Sequence, residues 1–525
     1  MRKKSWFFAP AAVAICSLAG GLIGPGVGDV SAASQEDDVK SSLKTFSRVF
    51  DLVEQNAADK VDPDKSLYKG AIPGMLRTLD PHSNFFDPRD FQEMREGQRG
   101  QYYGVGMKVG SRENRTVVIA PFVDSPAAKA GLLPGDLLMT VNGKDTLGLR
   151  TDEVADLLKG PRGTTAQVTA RRAGAKDFMT FNVVRDAIAR PSVPDGFWLK
   201  PGIMYLKIEH FNETTSKEVE AHFKRLGEQN VKGLILDLRE NPGGLLNEGI
   251  AVADRFLEKG QTVVSHRGRS SAERSYAART GNAGKNYPIV VVVNRNSASA
   301  SEIVSGALQD HDRALIFGET TFGKGLVQSV FQLSENTGLA LTTAKYYTPS
   351  NRLIQRDYSA TSFFDYYYKK GETKNLQDVK MTDSGRTVYG GGGITPDVKF
   401  ETKATAVQAG LIRNYAFLNF AANYLAQHGR NLKKEFQPDD STVAEFVAFL
   451  KKEDISYDQA DFDKHIDWIK GKIREELFIN AFDVDQGRKA EIEADQMIKE
   501  AIDNLPKAKE LEDNARKMIV QRQGK

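Results

Sequence analysis

Residues Ile289-Val290-Val291-Val292-Val293 are five consecutive β-branched positions with no polar residue among them. A strand that alternates apolar and polar residues can leave one face in water, but an uninterrupted apolar strand must be covered on both faces. Three more apolar runs, at 203–208, 234–238 and 314–317, accompany it, and helical periodicity occupies 215–226 and 245–257. Strands alternating with helices predict an α/β domain over residues 187–403, built on a sheet buried on both sides.

The remaining chain divides by pattern. With 525 residues, 40% hydrophobic and 27% charged, it is long enough for several folded domains. Residues 1–33 run from Arg2-Lys3-Lys4 through an apolar stretch to Ser31-Ala32-Ala33, the layout of an export signal or, if uncleaved, of a membrane anchor. Either reading places the chain outside the cytoplasm, in a periplasmic or other extracytoplasmic compartment. The only cysteine, Cys16, falls in this segment, so the rest of the chain can form no disulfide. Losing Arg2, Lys3, Lys4 and Asp29 with the leader lowers the formal charge from +3 to +1, which gives no electrostatic case for nucleic acid as a partner.

Residues 34–100 read as a helical segment, with Val39, Leu43, Phe46, Val49, Phe50 and Val53 at helical spacing. Near its end Asp80-Pro81-His82-Ser83 is turn chemistry, and His82 reads as a turn residue. Over 101–186 the pattern becomes short strands, punctuated by Ser125-Pro126-Ala127-Ala128, Gly135-Asp136 and the hairpin-like Asn142-Gly143. This order of elements resembles a PDZ domain. The resemblance implies that the loop Tyr103-Gly104-Val105-Gly106 offers N–H groups to a peptide's terminal carboxylate while the peptide adds as a strand. The same glycines are spaced wrongly for a dinucleotide-binding turn. Residues 404–525 read as a helical extension, with stripes at Phe417, Phe420, Ala421 and Tyr424 and at Ile466, Ile469, Ile473 and Leu477. Such stripes serve as packing surface, or as a contact for an adaptor or a homo-oligomer.

The chemistry concentrates after the 289–293 strand. Ser299 lies in Ser297-Ala298-Ser299-Ala300-Ser301-Glu302, at an expected strand-to-helix turn where free N–H groups and the helix dipole favour negative charge. Lys324 follows in Phe322-Gly323-Lys324-Gly325. A serine hydroxyl is a weak nucleophile, and a lysine amine becomes a usable base only when burial disfavours its charged form. Gln328 shares a strand face with Lys324 and can orient its amine. Ala300 supplies one candidate oxyanion amide, and Gly243 or Gly244, in Asn241-Pro242-Gly243-Gly244, a second. The run ending at Lys324 nearly spells a phosphate loop, but Gly325 stands where the magnesium-binding Ser or Thr belongs and a strand follows in place of a helix. His210, His266 and His311 keep a Ser-His-Asp arrangement open, although Ser299 lacks the Gly-x-Ser-x-Gly elbow. No metal-ligand spacing is present, and neither a metal nor another cofactor is expected.

Across residues 38–400 the chain resembles the C-terminal processing peptidases, or tail-specific proteases. The resemblance is carried by Leu-Asp-Pro-His-Ser at 79–83, the run just described as PDZ-like, Leu-Arg-Glu-Asn-Pro-Gly-Gly at 238–244 and Ser-Ala-Ser-Ala-Ser-Glu-Ile at 297–303. Ala-Leu-Gln-Asp at 307–310, Gly-Glu-Thr-Thr-Phe-Gly-Lys-Gly at 318–325, Tyr-Tyr-Thr-Pro-Ser at 346–350 and Gly-Ile-Thr-Pro-Asp at 393–397 complete it. It implies a crotonase- and Clp-protease-like catalytic core and a serine endopeptidase acting on proteins or peptides with accessible C-termini. Ser299 is then the nucleophile, Lys324 the base, Gln328 its partner and Asp310 a supporting residue. In a PDZ-gated enzyme of this kind Ser299 and Lys324 can be out of reach of each other at rest, and the sequence does not decide whether they are aligned. Asn351 departs from the glycine expected after Thr-Pro-Ser, and the extension beyond 404 lies outside the common core. The rival reading is a non-catalytic peptide-binding scaffold with the same architecture.

Overall fold

The computed structural model describes residues 38–359, 362–368, 375–401 and 404–523, so the 1–33 leader lies outside the described residues. They divide into two units, one ending at Leu79 and one beginning at Asp80. The first contains a helix over 38–56, then Pro63–Ser66, the π turn Leu67–Ala71 and Ile72–Arg77. Its stripe of Val39, Leu43, Phe46, Val49 and Val53 is 45–60% exposed, so it buries little within its own unit.

The second unit holds the α/β domain. Its main sheet runs Asp195–Lys200, Ile203–Lys207, Gly233–Asp237, Ile289–Val293, Leu315–Gly318 and Val398–Lys399, antiparallel in the first pair and parallel thereafter. Every residue of Gly233–Asp237 and Ile289–Val293 is buried. Because side chains alternate along a strand, Leu234, Leu236, Val291 and Val293 enter one core, while Ile235, Val290 and Val292 enter another. Helices Thr215–Leu226, Leu246–Phe256 and Ala300–Asp310 contribute to the first core. The second is closed from the far end of the chain, by Ile492, Met497, Ile498, Ala501 and Leu505 of helices Val484–Ala494, Gln496–Asp503 and Leu505–Gln523. The extension is thus two structures in sequence. Residues 405–481 pack a separate core around Phe417, Phe420, Phe446 and Ile473, and the helices that follow form the missing layer of the main sheet.

A second sheet joins Asn84–Phe86, Leu326–Gln332, Gly338–Tyr347, Thr262–Gly268 and Ser271–Ala277, so residues 84–86, read as part of the helical segment, are a strand here. The β-rich region 107–184 forms its own sheet in the order Met107–Arg112, Arg115–Pro121, Leu137–Val141, Thr165–Arg171, Met179–Val184. Met107–Arg112 is an edge strand with helix Thr151–Leu158 alongside. Both connections to this region pair with each other, Gln101–Gly104 against Asp186–Ala189. No helix among the described residues is long and apolar enough to cross a membrane.

Candidate active site

Three loops leave the carboxyl ends of parallel strands and meet: 238–244, 294–299 and 319–324. Asn241, fully buried, joins the first two, since its carbonyl accepts from Ala298 N at 2.9 Å and from Ser301 Oγ at 3.0 Å. Ser297 adds a second tie by donating its hydroxyl to Leu238 O at 2.8 Å. The third loop is anchored where Phe322 N reaches Ser297 O at 2.9 Å.

Ser299 sits at the head of the Ala300–Asp310 helix with φ 54° and ψ −112°. A non-glycine residue with positive φ outside the left-handed helical well carries strain of order 1–3 kcal/mol, which the surrounding bonds must hold. Glu302 does much of that holding. Fully buried, it accepts the Ser299 N–H at 2.8 Å and the Lys324 N–H at 2.9 Å on Oε2, and on Oε1 the Gly323 N–H at 2.7 Å and the Thr321 hydroxyl at 2.5 Å. Burial pushes the Glu302 carboxyl above the usual carboxylate range, against the pull of these hydrogen bonds. The Tyr346 hydroxyl bridges the same two residues, 2.6 Å from Lys324 O and 3.1 Å from Ser299 O.

The Lys324 side chain extends to Gln328, whose Oε1 accepts its amine at 2.8 Å, while Gln328 Nε2 donates to the His82 carbonyl. Burial pulls the lysine pKa down, opposed by the Glu302 and Asp80 charges. No hydrogen bond joins Ser299 to the Lys324 amine among the described residues; the amine points to Gln328. A β-carbon on Gly243 would stand 2.7 Å from Ser299 Cβ and 2.9 Å from Ala300 N, so only a glycine allows this approach. The Gly243 N–H donates to Asn241 Oδ1 at 2.8 Å, whereas the Ala300 and Gly244 amides have no hydrogen-bond partner among the described residues.

A roof of rings lies beside this site. His82 contacts the Tyr366 hydroxyl at 2.8 Å and the Tyr367 hydroxyl at 3.3 Å, and Arg356 stacks over Phe322 and Tyr366 at 4.3 and 4.5 Å. Burial, then Lys324 and Arg356 against Asp80, lowers the His82 pKa to about 3, so this imidazole is neutral near pH 7. Asp80 fixes the turn by accepting from His82 N, Ser83 N and the Ser83 hydroxyl.

Other candidate residues lie elsewhere. Asp310 ends the helix that Ser299 begins, about 16 Å away at 1.5 Å per residue, and binds Arg352 at 2.6 Å and the Ser350 hydroxyl at 2.7 Å. His311 pairs with Asp383 at 2.7 Å, His210 lies 3.3 Å from Asn212, and His266 lies 3.3 Å from Tyr276. Asn351 adopts φ 60°, a left-handed conformation that asparagine tolerates, so the turn keeps its glycine-like geometry. In the Tyr103–Gly106 loop, Val105 O accepts from Ala127 N at 2.8 Å, Gly106 O accepts from Phe122 N at 3.0 Å, and Gly106 has φ 76°.

Comparison with known proteins gives this site its context. The Peptidase family S41 profile matches residues 202–360, a PDZ domain profile matches 118–172, and the profile of a probable PDZ-protease C-terminal helical domain matches 407–460. The carboxy-terminal-processing protease of Bartonella bacilliformis is 40% identical over 327 residues, 61% of this chain and 74% of that one. The chain belongs to the carboxy-terminal-processing protease family. The carboxyl-terminal-processing protease of a Synechocystis species is 39% identical over 54% of this chain and 68% of its own length. The photosystem II D1 C-terminal processing protease is 30% identical, with a TM-score of 0.36 over 67% of this chain and 86% of that one.

As a member of this family the chain is a serine-type peptidase with a PDZ domain and a mixed α/β core. The helical extension, set outside the common core on motifs alone, matches a PDZ-protease domain over 407–460. Glu302 and Tyr346 were not singled out in the sequence. Glu302 did carry a local signal, because Ser299-Ala300-Ser301-Glu302 has the spacing at which a glutamate reaches back to the first backbone N–H of a helix. Tyr346 carried none, since its partners lie 47 and 22 residues away.

Proposed function

We propose that this protease is an endopeptidase that takes a substrate's C-terminal tail along the PDZ edge strand and cleaves upstream through an acyl-enzyme on Ser299. Lys324 is the general base. The observation that carries the reading is the state of that lysine: half-buried, lowered in pKa, and hydrogen-bonded through its amine to the neutral Gln328 amide, with no carboxylate paired to it among the described residues. A structural lysine would normally find an acid.

Once the neutral amine turns from Gln328 to the Ser299 hydroxyl, it accepts the proton as Oγ adds to the scissile carbonyl carbon. The Ala300 and Gly244 amides, without other partners among the described residues, hold the developing oxyanion. Lys324 then protonates the departing amine as the C–N bond breaks, leaving an ester on Ser299. Water, deprotonated by the same amine, hydrolyses the ester and restores the serine. The turn of the lysine is the step a PDZ-bound tail favours, by population of the aligned state. The 1–33 leader directs the chain out of the cytoplasm.

An unstructured peptide with apolar C-terminal residues tests the reading. Wild type is expected to produce fragments, and Ser299→Ala and Lys324→Ala, both folded, to produce none. Cleavage that survives either substitution overturns the mechanism, and binding without serine-dependent cleavage makes the chain a scaffold.

A further inference from the structure

The PDZ edge strand carries a second partner on one face. Met107 and Val109 turn into the PDZ core, while Lys108, Gly110 and Arg112, the alternate residues, turn towards the C-terminal helical domain. Arg112 donates to Asn419 Oδ1 at 3.1 Å, and a β-carbon on Gly110 would lie 3.4 Å from the Tyr415 hydroxyl. Lys108 acts electrostatically on Glu475 and Glu476 of helix Ile466–Ala481.

These acids are incompletely matched. Lys472 binds Glu475 at 2.7 Å and Glu491 at 2.6 Å, whereas the buried Glu476 Oε2 has no hydrogen-bond partner among the described residues. Three carboxylates, those of Glu475, Glu476 and Glu491, face two ammonium groups, those of Lys472 and Lys108. A buried acceptor with no donor is a vacancy for one. Burial and then Glu475 push Glu476 up to about 7, as expected for a carboxylate short of positive charge.

A tail whose carboxylate sits at the Tyr103–Gly106 loop must run antiparallel to Met107–Arg112, because the loop precedes that strand. Its last side chain is then on the face of the strand that carries Met107 and Val109, towards helix Thr151–Leu158. Its penultimate side chain then points to the opposite face, beside Lys108 and the helical domain.

We propose that the C-terminal helical domain is the second wall of the tail-binding site, and that Glu476, with Glu475, selects substrates whose penultimate residue is lysine or arginine. This inference rests on tail recognition by the PDZ domain and adds to it a charge preference supplied by the helical domain.

The test uses full-length Ser299→Ala protein and fluorescent peptides alike except for lysine, alanine or glutamate at the penultimate position, read by anisotropy near pH 7. The lysine peptide is expected to bind roughly three- to tenfold more tightly than the glutamate peptide. Glu476→Gln should erase that ratio, and Lys108→Ala, which removes the competing cation, should widen it. These opposite shifts, with unchanged melting temperatures, separate charge recognition from misfolding. Equal binding of all three peptides to the parent, or a ratio unmoved in Glu476→Gln, overturns this inference and leaves tail recognition standing. Binding of none overturns both.

Discussion

Glu302 Oε2 accepts the backbone N–H of Lys324 at 2.9 Å, and the same oxygen accepts the N–H of Ser299 at 2.8 Å. One buried atom therefore fixes the spacing of the two loops that carry the reactive side chains. It holds their backbones while leaving the lysine side chain free to turn.

Glu302→Gln keeps the volume but turns part of an all-acceptor group into a donor. At least one of the four donors loses its partner, at about 1–3 kcal/mol. We expect a loss of about 2–4 kcal/mol in denaturant unfolding and at least a hundredfold fall in kcat/KM. A variant of wild-type activity would show that the junction does not position the dyad.

The base role of Lys324 predicts a pH profile. Its pKa is lowered by burial, so the neutral amine is reached below the ordinary value of 10.5. Cleavage is expected to rise with pH and level off below 10.5, as read from the pH dependence of kcat/KM. By linkage, a depressed lysine favours folding above its unfolded pKa and loses that contribution as pH falls through the folded value, so Lys324→Met should gain relative stability towards neutral pH.

His82 behaves in the same sense at lower pH. Its folded pKa of about 3 lies below the unfolded 6.5, so its contribution is present above pH 6.5 and is lost as pH falls towards 3. Between those limits the stability of wild type should fall relative to His82→Gln with a slope approaching about 1.4 kcal/mol per pH unit. Parallel stability curves would contradict the burial of this ring.

Gly243→Ala puts a methyl group 2.7 Å from Ala298 O and Ser299 Cβ, at φ 99°. The serine loop must shift, taking the Ala300 amide with it. We expect kcat to fall about 10²–10³-fold, with a much smaller change in tail binding. A comparable loss of tail binding in anisotropy would point to a general structural role.

Ending the chain at Phe482 should unmask the second face of the main sheet, where Ile235, Val290, Val292 and Phe317 pack on the final helices. Each such side chain is worth about 1.5–3 kcal/mol when buried. Dye binding to exposed apolar surface and loss of a cooperative melt are the expected readouts; a soluble, cooperatively folded truncate would refute this layer's role.

The apolar run at 289–293 required a doubly covered strand, and local spacing placed Ser299 at a helix head and the Lys324 amine within reach of Gln328, although Lys324 itself precedes the strand Leu326–Gln332. Periodicity, turn residues and short-range geometry are properties of neighbouring positions, so they are legible in a linear chain. What covered the second face was not legible, because a stripe at Met497, Ile498 and Ala501 records that a helix needs an apolar partner without recording which one. The Tyr346 bridge and the meeting of Lys108 with Glu476 depend on groups brought together across tens to hundreds of residues. Only the packed tertiary structure decides such pairs, since hydrogen bonds and charges act over ångströms of space and sequence separation sets no limit on them.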